Sequence, residues 1–290
     1  MNPGVVLALF GALILTPDTL LMRLSELTGG QMVAWRATQA GSIFFLIGLI
    51  PFILSRSGVK PKIWCKSFAA LVVVQMANVF CFAYGIYLAP VAIVLIAVAT
   101  VPVFSIILGA VVLKEAVDTK TWAIVLIVFF GVTLSVIGDI NSYDVFNPSS
   151  VLGGLCGLVV AFSLACNFLI IRKNKEVAFP LALGTGGILC GLLAFYFWPS
   201  ASEINLKGMF YISITGLLIL PLSFLLLSKA SRMTPASNVS IIMLLETILG
   251  PLWVWTFTNE SPKFLTIIGG TIVIFALTYF FSIKSSKAAQ

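Results

Sequence analysis

Ser240-Ile241-Ile242-Met243-Leu244-Leu245-Glu246-Thr247-Ile248-Leu249-Gly250-Pro251-Leu252-Trp253-Val254-Trp255 is a nearly unbroken apolar run with one carboxylate near its middle. On a soluble helix the acid would face water; across a bilayer the protein itself must supply the polar surroundings. The composition decides between the two. Of 290 residues, 60% are hydrophobic and only 9% are charged, with a mean hydropathy of +1.13. Soluble domains carry roughly 25% charged residues. A chain this apolar cannot hide so much surface inside one globule, so its solvent is lipid.

A spanning helix needs about 20 mostly apolar residues. Ten segments fit: 4–23, 31–54, 66–87, 91–113, 121–138, 151–171, 179–198, 208–228, 236–257 and 264–283. The expected fold class is therefore an all-α polytopic membrane protein of ten transmembrane helices. The run beginning at Val5 has no basic n-region and no convincing cleavage site, so it reads as the first span and not as a removable signal. The connections are short, and the longest, near 139–150, holds no domain.

The basic residues orient the chain. With the N-terminus inside, Arg56, Lys60, Lys62, Lys66, Lys114, Lys120, Arg172, Lys173, Lys175, Lys229, Arg232, Lys284 and Lys287 fall on the cytoplasmic side. Only Arg23, Lys207 and Lys263 fall on the other, a bias of 13 to 3 that predicts both termini in the cytoplasm. The same dispersal at span ends removes nucleic acid as a partner despite the net charge of +7.

Several chemistries are absent. The chain has no His, its five Cys show no CxxC spacing, and no GxxxxGK[ST] phosphate loop occurs. No catalytic constellation, metal or cofactor is expected. A membrane-embedded enzyme would need a cluster of catalytic groups at one interface, which the sequence does not offer.

The layout repeats. Ala89-Pro90 opens the fourth span and Thr234-Pro235 the ninth, 145 residues apart, and the same offset carries Val94 onto Val239, Ile96 onto Ile241 and Glu115 onto Glu260. Five spans per half is an odd number, so the second half enters the membrane inverted relative to the first, an arrangement frequent in secondary transporters.

On these residues the chain resembles the EamA-type transporters of the drug/metabolite transporter superfamily. Val101-Pro102-Val103-Phe104-Ser105-Ile106-Ile107-Leu108-Gly109 through Lys114-Glu115 is similar to that family's signature. Leu245-Glu246-Thr247-Ile248-Leu249-Gly250 through Glu260 is the second-half counterpart, with Thr247 where proline is frequent. The resemblance implies two inverted five-helix repeats, 1–140 and 141–290, in a bacterial inner membrane. It implies a secondary transporter, expected to be an exporter. The cargo would be a small polar or amphipathic metabolite, such as an amino-acid-related compound or organic acid, moved by alternating access. The alternative is a structural or sensory membrane protein whose polar residues only hold helices together.

Polar residues inside the spans are the candidate pathway. Glu246 lies roughly 15 Å deep at 1.5 Å per residue, where a charge costs about 2.5–3.5 kcal/mol. It is either a hydrogen-bonded structural acid or a pathway residue that binds a cation or exchanges a proton or another coupling ion. Asp18 and Arg36 fall at equal depth on consecutive antiparallel spans. They form either a structural ion pair or a carboxylate-binding guanidinium with its resting counter-ion. Gln39 stands one turn from Arg36, and Gln75, Asn78, Phe82 and Gly85 form one stripe on the third span. Trp35, Tyr84, Tyr87, Asn167, Asn238, Trp253 and Trp255 are weaker candidates, since Trp and Tyr also serve as interfacial anchors. Pro17, Pro102, Pro221 and Pro251 are hinge candidates. The pairs Gly153/Gly157 and Gly187/Gly191 allow close internal helix packing.

Overall fold

A computed structural model describes residues 3–54, 62, 63, 65–113, 119–137, 148–174, 176–233, 236–258 and 260–288. Glu115, Lys114, Thr234, Pro235 and the side chain of Asn238 lie outside the described residues, as do Arg56, Lys60, Lys175 and the loop 138–147.

Thirteen α-helices follow in chain order: α1 (Pro3–Leu15), α2 (Asp18–Leu24), α3 (Gly29–Leu54), α4 (Lys66–Leu88), α5 (Val91–Val98), α6 (Val101–Leu113), α7 (Thr119–Ile137), α8 (Pro148–Lys173), α9 (Phe179–Phe197), α10 (Leu206–Ser213), α11 (Leu220–Met233), α12 (Ala236–Phe257) and α13 (Phe264–Ala288). They make ten spans, because α1–α2, α5–α6 and α10–α11 are each one interrupted span. Seven are long and apolar enough to cross a membrane, and 122–135, 242–257 and 264–276 are shorter apolar stretches. Wide rings of apolar side chains such as Phe10, Val73, Phe130, Leu218 and Phe275 face outward, as lipid requires.

The interruptions have local causes. In the first span the hydroxyl of Thr16 bonds back to the Leu13 carbonyl (2.9 Å) and Pro17 follows, so α1 stops and α2 begins at Asp18. The fourth span repeats the device with Thr100, whose hydroxyl bonds the Ala97 carbonyl (2.7 Å), and with Pro102 beyond it. In the eighth span a wide π-turn, Ile214–Ile219, precedes Pro221. The ninth span is different. Thr247 stands 145 residues after Pro102 and keeps its backbone N–H, and α12 runs unbroken from Ala236 to Phe257, through Pro251.

Part of the packing follows a simple map. The third span packs on the sixth, and advancing both by five gives the eighth on the first, which also packs; the fourth on the sixth becomes the ninth on the first. The pairs second–seventh, fourth–ninth and fifth–tenth map onto themselves. Two of these self-mapped pairs touch backbone to backbone. A Cβ added at Gly184 would stand 2.3 Å from the Phe45 nitrogen, and one at Gly269 would stand 2.5 Å from the Gly131 carbonyl oxygen. Gly153, Gly157, Gly187 and Gly191 likewise lie against Ala89, Val94, Gly41 and Thr38.

Candidate functional site

Among the described residues, eight of the ten spans line a central cavity and the fifth and tenth do not. Only about 40 Å³ of the cavity admits the centre of a water molecule, room for a few waters at roughly 10–15 Å³ each. Larger cargo requires the spans to move.

Its polar wall comes from both halves of the chain. Asp18 opens α2 directly after the Thr16-Pro17 break, so the interruption aims the carboxylate inward. Arg36 on α3 pairs with Asp18 through Nη2 and Oδ2, and both side chains are almost fully buried (4% and 0% exposed). The guanidinium also lies over the Phe82 ring at 5.1 Å. Asp18 Oδ1 and Arg36 Nε have no hydrogen-bond partner, so the pair retains an acceptor and a donor unused.

On the opposite wall α12 contributes Glu246, which is 4% exposed. No hydrogen bond or ion pair from the described residues reaches its carboxylate, and the charges near enough to act on it are Asp18 and Arg36. Glu246 also borders the gap beside Val98–Pro102, the break in the fourth span. Pro102 has no N–H to offer the carbonyl one turn before it, as expected where a helix is interrupted.

Amides complete the wall. Gln75 Oε1 accepts from Asn167 Nδ2 (3.1 Å) and from Asn78 Nδ2 (3.5 Å), joining the third and sixth spans. Asn167 Oδ1 is left without a partner. Phe44, Phe82, Phe224, Leu164 and Met243 supply apolar surface between the polar groups.

Of the residues singled out from sequence, Asp18, Arg36, Gln75, Asn78 and Glu246 line one cavity. Gln39 does not. Its side chain donates to the Ser213 hydroxyl (2.8 Å) and packs on Gly216 in the π-turn, bracing α3 against the eighth span. Trp35 donates to the Ala201 carbonyl (2.8 Å), away from the cavity. Trp253 donates to Thr16 Oγ1 (3.3 Å) and is partly exposed, so it holds the ninth span to the break in the first.

The sequence reading missed a knot at the face opposite the chain termini. Arg23 meets Glu260 (Nε–Oε2 2.9 Å) and donates to the Ala89 carbonyl, while Glu260 Oε1 accepts the Val91 N–H (2.6 Å) at the start of α5. Three connections are tied there. The sequence marks Arg23 and Glu260 as charges at span ends without saying that those ends adjoin. Beside it Tyr84, Phe80 and Trp198 stack at 5.4–6.2 Å over Gly29 and Gly30, where any side chain would collide with the rings. That face is closed. At the terminal face Lys62 pairs with Glu176 (2.7 Å), which holds the Glu176 carboxyl below its usual range, and a short parallel bridge joins Lys62 to Val177. Across the molecule Lys207, 145 residues after Lys62, pairs with Glu26 (2.6 Å).

The model of the EamA-like transporter family matches this chain twice, over residues 2–137 and 151–282. The chain belongs to the EamA-like transporter family. It is a membrane transporter of small metabolites and not an enzyme. The chain is 28% identical over 209 residues to the S-adenosylmethionine uptake transporter of Rickettsia conorii, covering 71% of this chain and 68% of that one. The Rickettsia prowazekii protein of the same description is 26% identical over 210 residues, covering 71% and 69%. A shorter match, 35% over 108 residues, joins 33% of the chain to 23% of an L-cystine uptake protein of Shouchella clausii. A solved crystal structure with 14% identity shares the fold at a TM-score of 0.66 over 94% of both chains.

Proposed function

We propose that this EamA-like transporter carries an amino-acid-related metabolite by alternating access through the central cavity, with the cargo carboxylate received by Arg36. One observation carries the reading: a guanidinium and two carboxylates, drawn from both halves of the chain, are buried around one cavity with donor and acceptor atoms unused. A purely structural network would satisfy its own atoms, since an unpaired buried group costs about 1–3 kcal/mol. The relatives named for uptake of S-adenosylmethionine, itself an amino acid, support this cargo class. They also favour inward movement over the export expected from sequence.

The halves 1–140 and 141–290 are inverted repeats in this proposal, supported by the two family matches and the five-span packing map. The basic bias places the termini in the cytoplasm of a bacterial inner membrane. The Arg23–Glu260 knot and the aromatic stack then close the outer mouth, and transport requires them to part. Glu246 is the proposed coupling group, exchanging a proton as the cavity changes sides.

The test uses proteoliposomes loaded with a mixed metabolite pool and a pH gradient, comparing wild type with Glu246→Gln. Both proteins are expected to exchange an amino-acid-class metabolite, with acceleration by the pH gradient in wild type alone. Equal exchange by both proteins removes coupling from Glu246. No exchange by folded wild type returns the protein to the structural or sensory reading.

A further inference from the structure

The charges in the cavity do not cancel. Asp18 and Arg36 neutralise each other in direct contact, which leaves Glu246 as a second carboxylate without a protein cation of its own among the described residues. An isolated buried carboxylate costs several kcal/mol unless a positive group accompanies it. Among the described residues no such group stands beside it, so a proton in the empty carrier, or a cationic part of the ligand in the loaded one, must supply the charge.

The surroundings of Glu246 are suited to that task. It borders the interruption of the fourth span at Val98–Pro102, where Pro102 has no N–H to bond the carbonyl one turn before it. Carboxylate and carbonyl oxygens together attract a cation and repel an anion. Arg36, with its unused Nε, and Asp18, with its unused Oδ1, offer the complementary ends for an α-carboxylate and an α-ammonium. Phe44, Phe82 and Phe224 line the cavity between them as aromatic surface for the rest of the cargo.

We infer that the cargo is an α-amino acid carrying a second, permanent positive charge on its side chain, a sulfonium or ammonium. The amino-acid end lies at Asp18–Arg36 and the extra cation at Glu246 and the broken fourth span. The inference rests on the transport reading above and adds the charge class of the cargo. Glu246 is then a specificity-determining residue: it separates a cationic amino acid from its neutral isostere.

Two analogue pairs test this without any variant. S-adenosylmethionine and S-adenosylhomocysteine differ by one methyl group and its sulfonium charge; lysine and norleucine differ by the side-chain ammonium. Each is offered to wild-type proteoliposomes as a competitor of exchange of the loaded amino-acid pool. A charge-assisted contact of about 1.5–3 kcal/mol corresponds to roughly 10- to 150-fold preference for the cationic member, and Glu246→Gln should reduce that ratio to within a few-fold. Equal or inverted preference in wild type overturns the inference, and so does a ratio unchanged in a folded Glu246→Gln protein. Exchange of neutral or acidic amino acids alone overturns it too, while leaving amino-acid transport standing. Absence of exchange with every amino-acid compound removes the proposed amino-acid cargo itself, and the inference with it.

Discussion

Replacing Asp18 by Asn leaves the Arg36 guanidinium 3% exposed with its direct counter-charge gone. Breaking one partner of a buried pair costs about 3–5 kcal/mol, whereas removing both is often near neutral. Thermal unfolding of the purified protein should therefore rank Asp18→Asn well below wild type, with Asp18→Asn/Arg36→Gln recovering much of the loss. A double variant as unstable as the sum of the singles would mean the two charges do not act on each other. Flux separates this from function, because the double variant should fold and still fail to exchange amino acids. At this scale the sequence was readable. Charges in an apolar span announce themselves, and equal depth on consecutive helices was enough to pair Asp18 with Arg36. Gln39 was misleading for the same reason. Helical spacing put it near Arg36, but the eighth span offered Ser213, at the end of α10 just before the π-turn, instead.

Elements explain what the cavity is made of. The breaks in the first and fourth spans arise from a threonine hydroxyl and a nearby proline, and both deliver the wall of the site. Thr247 withholds the second half's version of that break. Its hydroxyl reaches the Leu95 carbonyl (3.4 Å) while α12 continues past Glu246. Thr247→Pro should cost about 3 kcal/mol, the penalty for proline inside a helix, and should abolish exchange by displacing Glu246. Thr247→Val should cost about 1 kcal/mol or less, since only one long hydrogen bond is lost. Similar melting temperatures for the two variants would refute this account. The backbone contact at α3–α9 gives a second test: Gly184→Leu should lower stability by about 1–3 kcal/mol through overpacking, read as an earlier thermal transition. Span positions were legible to within a few residues because apolar length is a strong signal. The location of the breaks was legible only as prolines, because proline marks a possible hinge without saying whether the helix yields. It yields at Pro102 and holds at Pro251.

For the whole molecule, the face opposite the chain termini is closed by contacts among three connections that are distant in sequence. Arg23→Glu and Glu260→Arg should each weaken the closed face and slow exchange several-fold, and the double exchange should restore much of the rate, as measured by uptake into proteoliposomes. Equal impairment of the double variant would assign the knot to folding alone. Such tertiary meetings were not legible, because nothing in a single sequence says that residues 237 positions apart adjoin. The difference between Pro102 and Thr247 has a larger consequence. In the proposed inverted-repeat arrangement, identical halves would make the carrier facing one compartment the same object, turned over, as the carrier facing the other, and an empty protein would divide its time evenly. Unequal halves remove that equality, so the unloaded carrier has a home side. Apparent affinity scales with the fraction of molecules facing the ligand, so half-saturating concentrations measured from the two compartments should differ. With no gradient net flux must vanish at equal concentrations, so the maximal rates must differ in the same proportion: a carrier that saturates early from one side is bound to be slow from that side.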